Sequence, residues 1–218
     1  QSERYRALKA AGASNEEIHR SFHTPTEMTL FTYHGDIDTM MAPIDSIRYV
    51  KSYLRAGFMS MDPKTGAVKA YVGGLDYTHF MYDMVTGGRR QVGSTIKPFL
   101  YALAMENGFT PCSMAPNVQQ TYTVGNQTWT PRNANRKRYG EMVTLKWGLA
   151  QSNNWISAYL MSKLNPQQFV TKLHEFGIDN PEIVPSMALC LGPCEVSVAE
   201  MVSAYTTFVN KGIRSAPM

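Results

Sequence analysis

The sequence predicts a mixed helix-and-strand fold of the α/β (α+β) class, and three observations carry that reading. Phe58-Met59-Ser60-Met61 and Ala67-Val68-Lys69-Ala70-Tyr71-Val72 read as strands around the turn Asp62-Pro63-Lys64-Thr65-Gly66, which is a hairpin pattern. From Ser94 the apolar residues Phe99, Leu100, Leu103 and Ala104 recur at helical spacing. From Thr144 onward the chain is dominated by further helical patterns. With 218 residues, 44% of them hydrophobic and 17% charged, the chain can bury the core of one ample domain and lacks the composition of a disordered segment.

Taken in order, residues 1–45 read as a connector. Tyr5 to Ala10 suit a helix that stops at Gly12, and Ser14-Asn15-Glu16-Glu17 suits the cap and first turn of a helix to Phe22. Met28 to Tyr33 reads as a strand. After Pro43, a helix capped by Asp45 or Ser46 places Ile47, Val50, Tyr53 and Leu54 on one face and closes at Gly57. The hairpin at 58–72 follows and ends at Gly73-Gly74; a loop from Asp76 to Gly88 then leads to the helix that opens at Ser94 and stops at Asn107-Gly108.

Cys112 to Arg138 is rich in Asn, Gln, Thr and Pro. It reads as loop with short hairpin strands at Tyr122-Thr123-Val124 and Gln127-Thr128-Trp129. A helix with Leu145, Leu149 and Ala150 follows and breaks at Gln151-Ser152-Asn153-Asn154. A second runs from Trp155 to about Leu164, and a third opens at Asn165-Pro166 by the cap-then-proline rule and ends near Gly177. Ser197-x-x-Glu200 is a capping box for a last helix through Ala204, Tyr205 and Phe208 to Lys211-Gly212.

Composition narrows the functions open to the chain. The net charge of +4 is mild; it suits an acidic polymer or a membrane surface as partner, whereas nucleic acid calls for a stronger basic stripe. No apolar run reaches the ~18 residues of a spanning helix. The opening Gln1 and the ending at Met218 lead us to expect a piece of a longer protein. Cys190 and Cys194 either close a small disulfide around Gly192-Pro193 or are buried thiols. No metal site is expected, because no His or further Cys lies near them in sequence. His19, His23 and His34 read as exposed histidines. Arg132, Arg136, Lys137 and Arg138 form a basic cluster, either a solvated loop or an anion-binding one.

Two short patterns carry chemistry. In Gly93-Ser94-Thr95-Ile96-Lys97-Pro98 the hydroxyl and the amine lie three apart on one helix face. An ammonium there eases deprotonation of the serine, and a lysine with a lowered pKa can accept the proton, which requires burial or a neighbouring cation. Pro98 fits only within the first helical turn. In Ser152-Asn153-Asn154, a hydroxyl can relay a proton and a carboxamide can hold a peptide backbone. Each pattern alone also fits an ordinary helix start or cap.

Together, Ser94-x-x-Lys97 and Ser152-x-Asn154, some 55 residues apart, follow the order of the penicillin-interacting serine enzymes. The flanking Gly73-Gly74, Arg90-Gln91-Val92-Gly93, Trp129-Thr130-Pro131-Arg132-Asn133 and Leu191-Gly192 resemble class A, bifunctional penicillin-binding proteins. The resemblance covers essentially the whole chain. It implies an antiparallel sheet sandwiched by helices, incomplete here. Residues 1–45 would be the linker after an absent, membrane-anchored glycosyltransferase domain, and 46–218 the N-terminal part of the transpeptidase domain.

The resemblance further implies a D,D-transpeptidase at the extracytoplasmic face of the bacterial inner membrane, needing no cofactor and no metal. Its partners would be peptidoglycan stem peptides (a D-Ala-D-Ala donor and an amine acceptor) and β-lactam antibiotics. Ser94 would be the nucleophile, Lys97 its base, Ser152 a proton relay and Asn154 a substrate-binding group. The family's third motif, Lys-Thr/Ser-Gly, belongs after the helical region. The Lys64-Thr65-Gly66 found here precedes the nucleophile and reads as a structural turn, so the true motif is expected beyond Met218 and this piece is expected to acylate weakly or not at all. The competing readings are a serine β-lactamase, with Glu182 the nearest candidate for activating water, a class B penicillin-binding protein, and a non-catalytic module that senses β-lactams or binds the cell wall.

Overall fold

The structure, a computed structural model, describes residues 2–125 and 127–218. The chain divides into two compact units: residues 1–56 with 76–81, and residues 57–75 with 82–218.

In the first unit, α1 (Glu3–Ala10) and α2 (Asn15–His23) begin at side-chain caps from Ser2 and Ser14, and Ser14 forms a capping box with Glu17. Strand β1 (Thr26–Leu30) pairs antiparallel with β2 (Ile37–Met41), a partner that the sequence pattern does not reveal. Helix α3 (Pro43–Ser52) starts earlier than expected. Ala42 is its N-cap, with Pro43 in the first turn, where a missing N–H costs nothing. Asp45 instead accepts from Arg48, and Ser46 Oγ donates to the Pro43 carbonyl. Phe31, Tyr33, Tyr53 and Phe80 pack edge to face or tilted. The His79 ring joins Asp36 and Asp76, tying residues 76–81 into this unit.

The second unit carries the expected hairpin of β3 (Phe58–Met61) and β4 (Val68–Val72). Its turn is held by Asp62, whose Oδ1 accepts from the backbone of Lys64 and Thr65, and Gly66 takes φ +80°. Lys64-Thr65-Gly66 is thus a turn. The last residues run along this hairpin: Met218 N donates to Gly66 O, Val68 N to Met218 O, and Ser215 Oγ to Pro63 O. β5 (Arg89–Gln91) leads into a 3₁₀ turn (Gly93–Ile96) and α4 (Lys97–Glu106). Next come β6 (Met114–Pro116), the hairpin of β7 (Tyr122–Val124) and β8 (Gln127–Trp129), and β9 (Met142–Thr144), which pairs with β6. α5 (Leu145–Ala150), α6 (Asn154–Lys163) and α7 (Pro166–Glu175) follow. β10 (Glu195–Ser197) pairs back with β5 before α8 (Val198–Val209).

The strands of this unit are antiparallel ribbons carried on a helical core. α4 and α6 are its centre. Phe99, Leu100, Leu103 and Ala104 of α4 and Ile156, Ala158, Leu160 and Met161 of α6 are buried, with Phe169 and Leu173 of α7, Leu189, and Ala204 of α8 around them. α6 is buried nearly all round, which is why its sequence shows little amphipathic contrast. Cys112, Cys190 and Cys194 are free thiols, so the cysteine pair forms no disulfide; Cys190 is buried as the second reading expects, whereas Cys194 is half-buried.

Close packing of the centre makes one glycine indispensable. A Cβ on Gly148 would lie 2.7 Å from Ile156 Cγ2 and 3.0 Å from the Tyr101 hydroxyl. Gly148→Ala is therefore expected to destabilise the second unit by about 1–3 kcal/mol through overpacking, read as a lowered thermal midpoint; an unchanged midpoint would show that α5 and α6 can separate freely.

Candidate active site

The segment before α4 is shaped by glycine and by a distant strand. Gly93 takes φ +54°. Its N–H donates to Gly192 O at 3.0 Å, and Val92 N donates to Cys194 O at 3.1 Å. A Cβ on Gly192 would fall 2.1 Å from Gly93 O, so the two backbones meet at a separation that only glycine permits. Tyr205 Oη donates to Thr95 O at 2.7 Å while its ring packs edge-on against Phe99. Gly93 to Ile96 form a 3₁₀ turn rather than the first turn of an α-helix. Side chains three apart eclipse one another in that geometry, so Ser94 and Lys97 share a face. Pro98 then sits in the first α-turn, as its ring requires.

Ser94 is exposed, whereas Lys97 is 1% exposed. The Lys97 ammonium donates to Ser152 O at 2.6 Å, to Ser152 Oγ at 3.1 Å and to Asn154 Oδ1 at 2.7 Å. An ammonium has three protons and no lone pair; here each proton has an acceptor, and all three acceptors are uncharged. Burial pushes the lysine down to about 8, with the nearby Cys190 thiol opposing weakly. That thiol is itself pushed up to about 12 by burial and stays neutral. Among the described residues no carboxylate lies within ion-pair distance of Lys97. The sign of the linkage follows. The folded chain releases this proton near pH 8 and the unfolded chain near 10.5, so stability rises with pH between those values.

The acceptors come from one turn between two helices. α5 ends with Ser152 N donating to Leu149 O and Asn153 N to Gly148 O. This is the paired Schellman closure, whose left-handed position is usually glycine. Here that position is Ser152, at φ +48°. Asn153 then caps α6, its Oδ1 accepting from Trp155 N and Ile156 N. Its buried Nδ2 donates to Asn117 Oδ1 at 2.8 Å. Asn154 donates from its own Nδ2 to Arg132 O at 2.7 Å and from its backbone to Asn133 Oδ1 at 3.0 Å. Both of its amide groups are therefore fixed.

The fold thus gathers Lys97, Ser152 and Asn154 into one hydrogen-bonded cluster and sets Ser94 on the same face as Lys97. Glu182, the alternative water-activating residue, is exposed; its backbone N–H is held by Asn180. Sequence reasoning does not connect Asn117, Cys190, Gly192 or Tyr205 with the site. Nothing local marks Asn117, Cys190 stands out only as half of a cysteine pair, Gly192 only within a flanking motif, and Tyr205 only as an apolar position of the last helix.

The chain matches the penicillin-binding protein transpeptidase domain over residues 56–218 and the penicillin-binding protein middle domain over residues 1–54. It belongs to the penicillin-binding protein transpeptidase family. Among its relatives is penicillin-binding protein 1A of Neisseria cinerea, 33% identical over 164 residues, which covers 74% of this chain and 20% of that protein. Another is penicillin-binding protein 2D of Bacillus subtilis, 36% identical over 169 residues, covering 76% of this chain and 24% of that protein. The crystal structure of penicillin-binding protein 1A from Haemophilus influenzae superposes with a TM-score of 0.71 at 32% identity, over 75% of this chain and 24% of that one. The chain spans about a fifth to a quarter of the length of these proteins. The mixed fold is that of the family, as the motifs implied.

The left-handed Ser152 gives a direct test. Ser152→Gly and Ser152→Ala both remove the hydroxyl, but only glycine relaxes the backbone. Ser152→Gly is expected to be the more stable variant by about 1 kcal/mol, a gap of several degrees in thermal midpoint. Equal midpoints would mean that the turn is not held in this conformation in solution.

Proposed function

We propose that Ser94 is the nucleophile of a serine D,D-transpeptidase that cross-links peptidoglycan stem peptides, and that β-lactams acylate the same residue. The observation that carries this reading is the buried Lys97 amine, hydrogen-bonded to Ser152 and Asn154 one turn from an exposed Ser94. In its resting ammonium form Lys97 has no lone pair for the Ser94 proton. Burial without a countercharge brings its neutral form within reach near pH 8, as a general base requires.

In the proposed sequence, Ser94 Oγ attacks the carbonyl carbon of the penultimate D-Ala and its proton passes to neutral Lys97. The tetrahedral intermediate collapses with cleavage of the C–N bond. Ser152 Oγ, within reach of Lys97 Nζ, relays the proton to the departing D-Ala amine, leaving an ester on Ser94. An acceptor amine then attacks the ester and returns its proton along the same path, and Ser94 Oγ leaves with a proton restored. Asn154 holds the donor peptide, and the Ser94 N–H supplies part of an oxyanion hole. A β-lactam carbonyl takes the place of the D-Ala carbonyl.

The wider setting is part of the same proposal. Residues 1–45 would follow a glycosyltransferase domain in a membrane-anchored, extracytoplasmic parent, as the class A resemblance implies. Among the described residues no helix is long and apolar enough to cross a membrane, so an anchor would lie elsewhere in the parent. With Lys64-Thr65-Gly66 engaged in a turn, these 218 residues alone are proposed to acylate more weakly than the full-length protein.

Two outcomes are expected. Ser94→Ala in the full-length protein should abolish both cross-linking and covalent labelling by a fluorescent penicillin while glycan polymerisation continues; unchanged cross-linking would refute the assignment. The acylation rate of the wild type should climb about tenfold per unit below pH 8 and level off above it, because only neutral Lys97 accepts the proton. A flat profile from pH 6 to 9 would remove Lys97 from the role of base.

A further inference from the structure

The loop between β8 and β9 is fixed at its backbone and open at its charges. Pro131 O accepts from Trp155 Nε1 and Gln119 Nε2, each at 3.1 Å. Arg132 O accepts from Asn154 Nδ2. Further along, Lys137 O and Arg138 O accept from Nδ2 of the fully buried Asn117 at 2.8 and 2.7 Å. Asn117 O and N bond Gly140 N and Glu141 O. Within the loop, Asn135 accepts from Asn133 through its carbonyl and from Lys137 N through its side chain. The same two asparagines, 117 and 154, thus hold this loop and the Ser152 turn: Asn117 through Asn153, Asn154 directly.

The side chains are arranged otherwise. Arg132, Arg136 and Lys137 are all exposed, and among the described residues none has a carboxylate within ion-pair distance; only Arg138 pairs, with Glu141 at 2.8 Å. Arg136 rests over the Tyr139 ring, which limits its freedom. Four cations against one acid in a stretch of ten residues repel one another and do not favour the loop's fold. A rigid backbone that displays unpaired cations beside a peptide site lowers the ordering cost of binding an anion.

We propose that Arg132, Arg136 and Lys137 bind carboxylates of an acidic peptide substrate away from its scissile end, and so set preference for a charged over a neutralised peptide. This rests on the transpeptidase reading of the site, which it extends from the reaction to the substrate's charge. The guanidinium groups suit bidentate carboxylate contacts, and Lys137 adds a point charge.

The test uses the full-length protein and two synthetic peptides with the same D-Ala-D-Ala end, one with free side carboxylates and one with those carboxylates amidated. Binding is measured to the Ser94→Ala protein, so that turnover is not required. The free carboxylate peptide is expected to bind about tenfold tighter than its amide, from two or three exposed ion pairs each worth a few-fold, and the preference should shrink in high salt. Adding Arg136→Gln and Lys137→Gln should bring the ratio to within twofold. A ratio unaltered by those changes, or an equal loss for both peptides, overturns the proposal. Labelling of wild-type Ser94 by penicillin is scored separately: its failure counts against the transpeptidase reading, whereas an unaltered ratio with normal labelling counts against the loop alone.

Discussion

One buried ammonium organises the second unit. Taking Lys97 out of water is strongly unfavourable, and no carboxylate among the described residues offsets it. What offsets it is geometry: three neutral oxygens, all from Ser152 and Asn154, at 2.6 to 3.1 Å. A neutral acceptor set satisfies every proton without stabilising the charge as strongly as an anion would, so the amine stays hydrogen-bonded and still titrates near 8. An aspartate in place of Asn154 would hold Lys97 charged and remove its ability to take a proton. The carboxamide is thus a chemical choice as much as a steric one.

Holding those oxygens in place needs support from both sides. The turn that presents them keeps serine in a left-handed position where helices usually end in glycine, a local cost accepted in exchange for a hydroxyl beside the amine. Asn153 and the buried Asn117 lock the turn from behind, and Asn154 is gripped by residues 132 and 133. On the Ser94 side, Gly93 and Gly192 bring two backbones together and β5 pairs with β10. Ser94 is therefore set by a segment about 100 residues further along the chain, and Lys97 by one about 55 residues along.

How legible this was depends on the range of each interaction. The caps at Ser14, Asn165 and Ser197, the hairpin at 58–72 and the break between α5 and α6 rest on contacts within a few residues, and the sequence displays them. The ribbons β5–β10 and β6–β9 do not show. Their strands are three residues long, too short for a period of two, and their partners lie far away. Asn117 is invisible for the same reason, since its value comes from carbonyls at 137 and 138 and a side chain at 153. The start of α3 was misplaced because Asp45 and Ser46 look like caps, while Pro43 tolerates a helix start at Ala42 without one. Ser94 and Lys97 were legible as a spacing. The 3₁₀ turn that aligns them was not, because it is imposed by Gly192 and Tyr205.

The distribution of positive charge separates two tasks that the net charge of +4 merges. Lys97 is sealed among neutral oxygens, where a charge is worth least and a pKa moves most. Arg132, Arg136 and Lys137 are exposed to water, where a charge acts mainly by attraction. The first arrangement suits proton transfer and the second suits recognition, and Asn154 touches both: its oxygen accepts from Lys97 and its nitrogen donates to Arg132 O. Because one planar carboxamide fixes the two, a shift of the basic loop must alter the third acceptor of the buried amine. In the proposed roles, recognition of the substrate's distant charges and protonation of the base are joined through a single side chain.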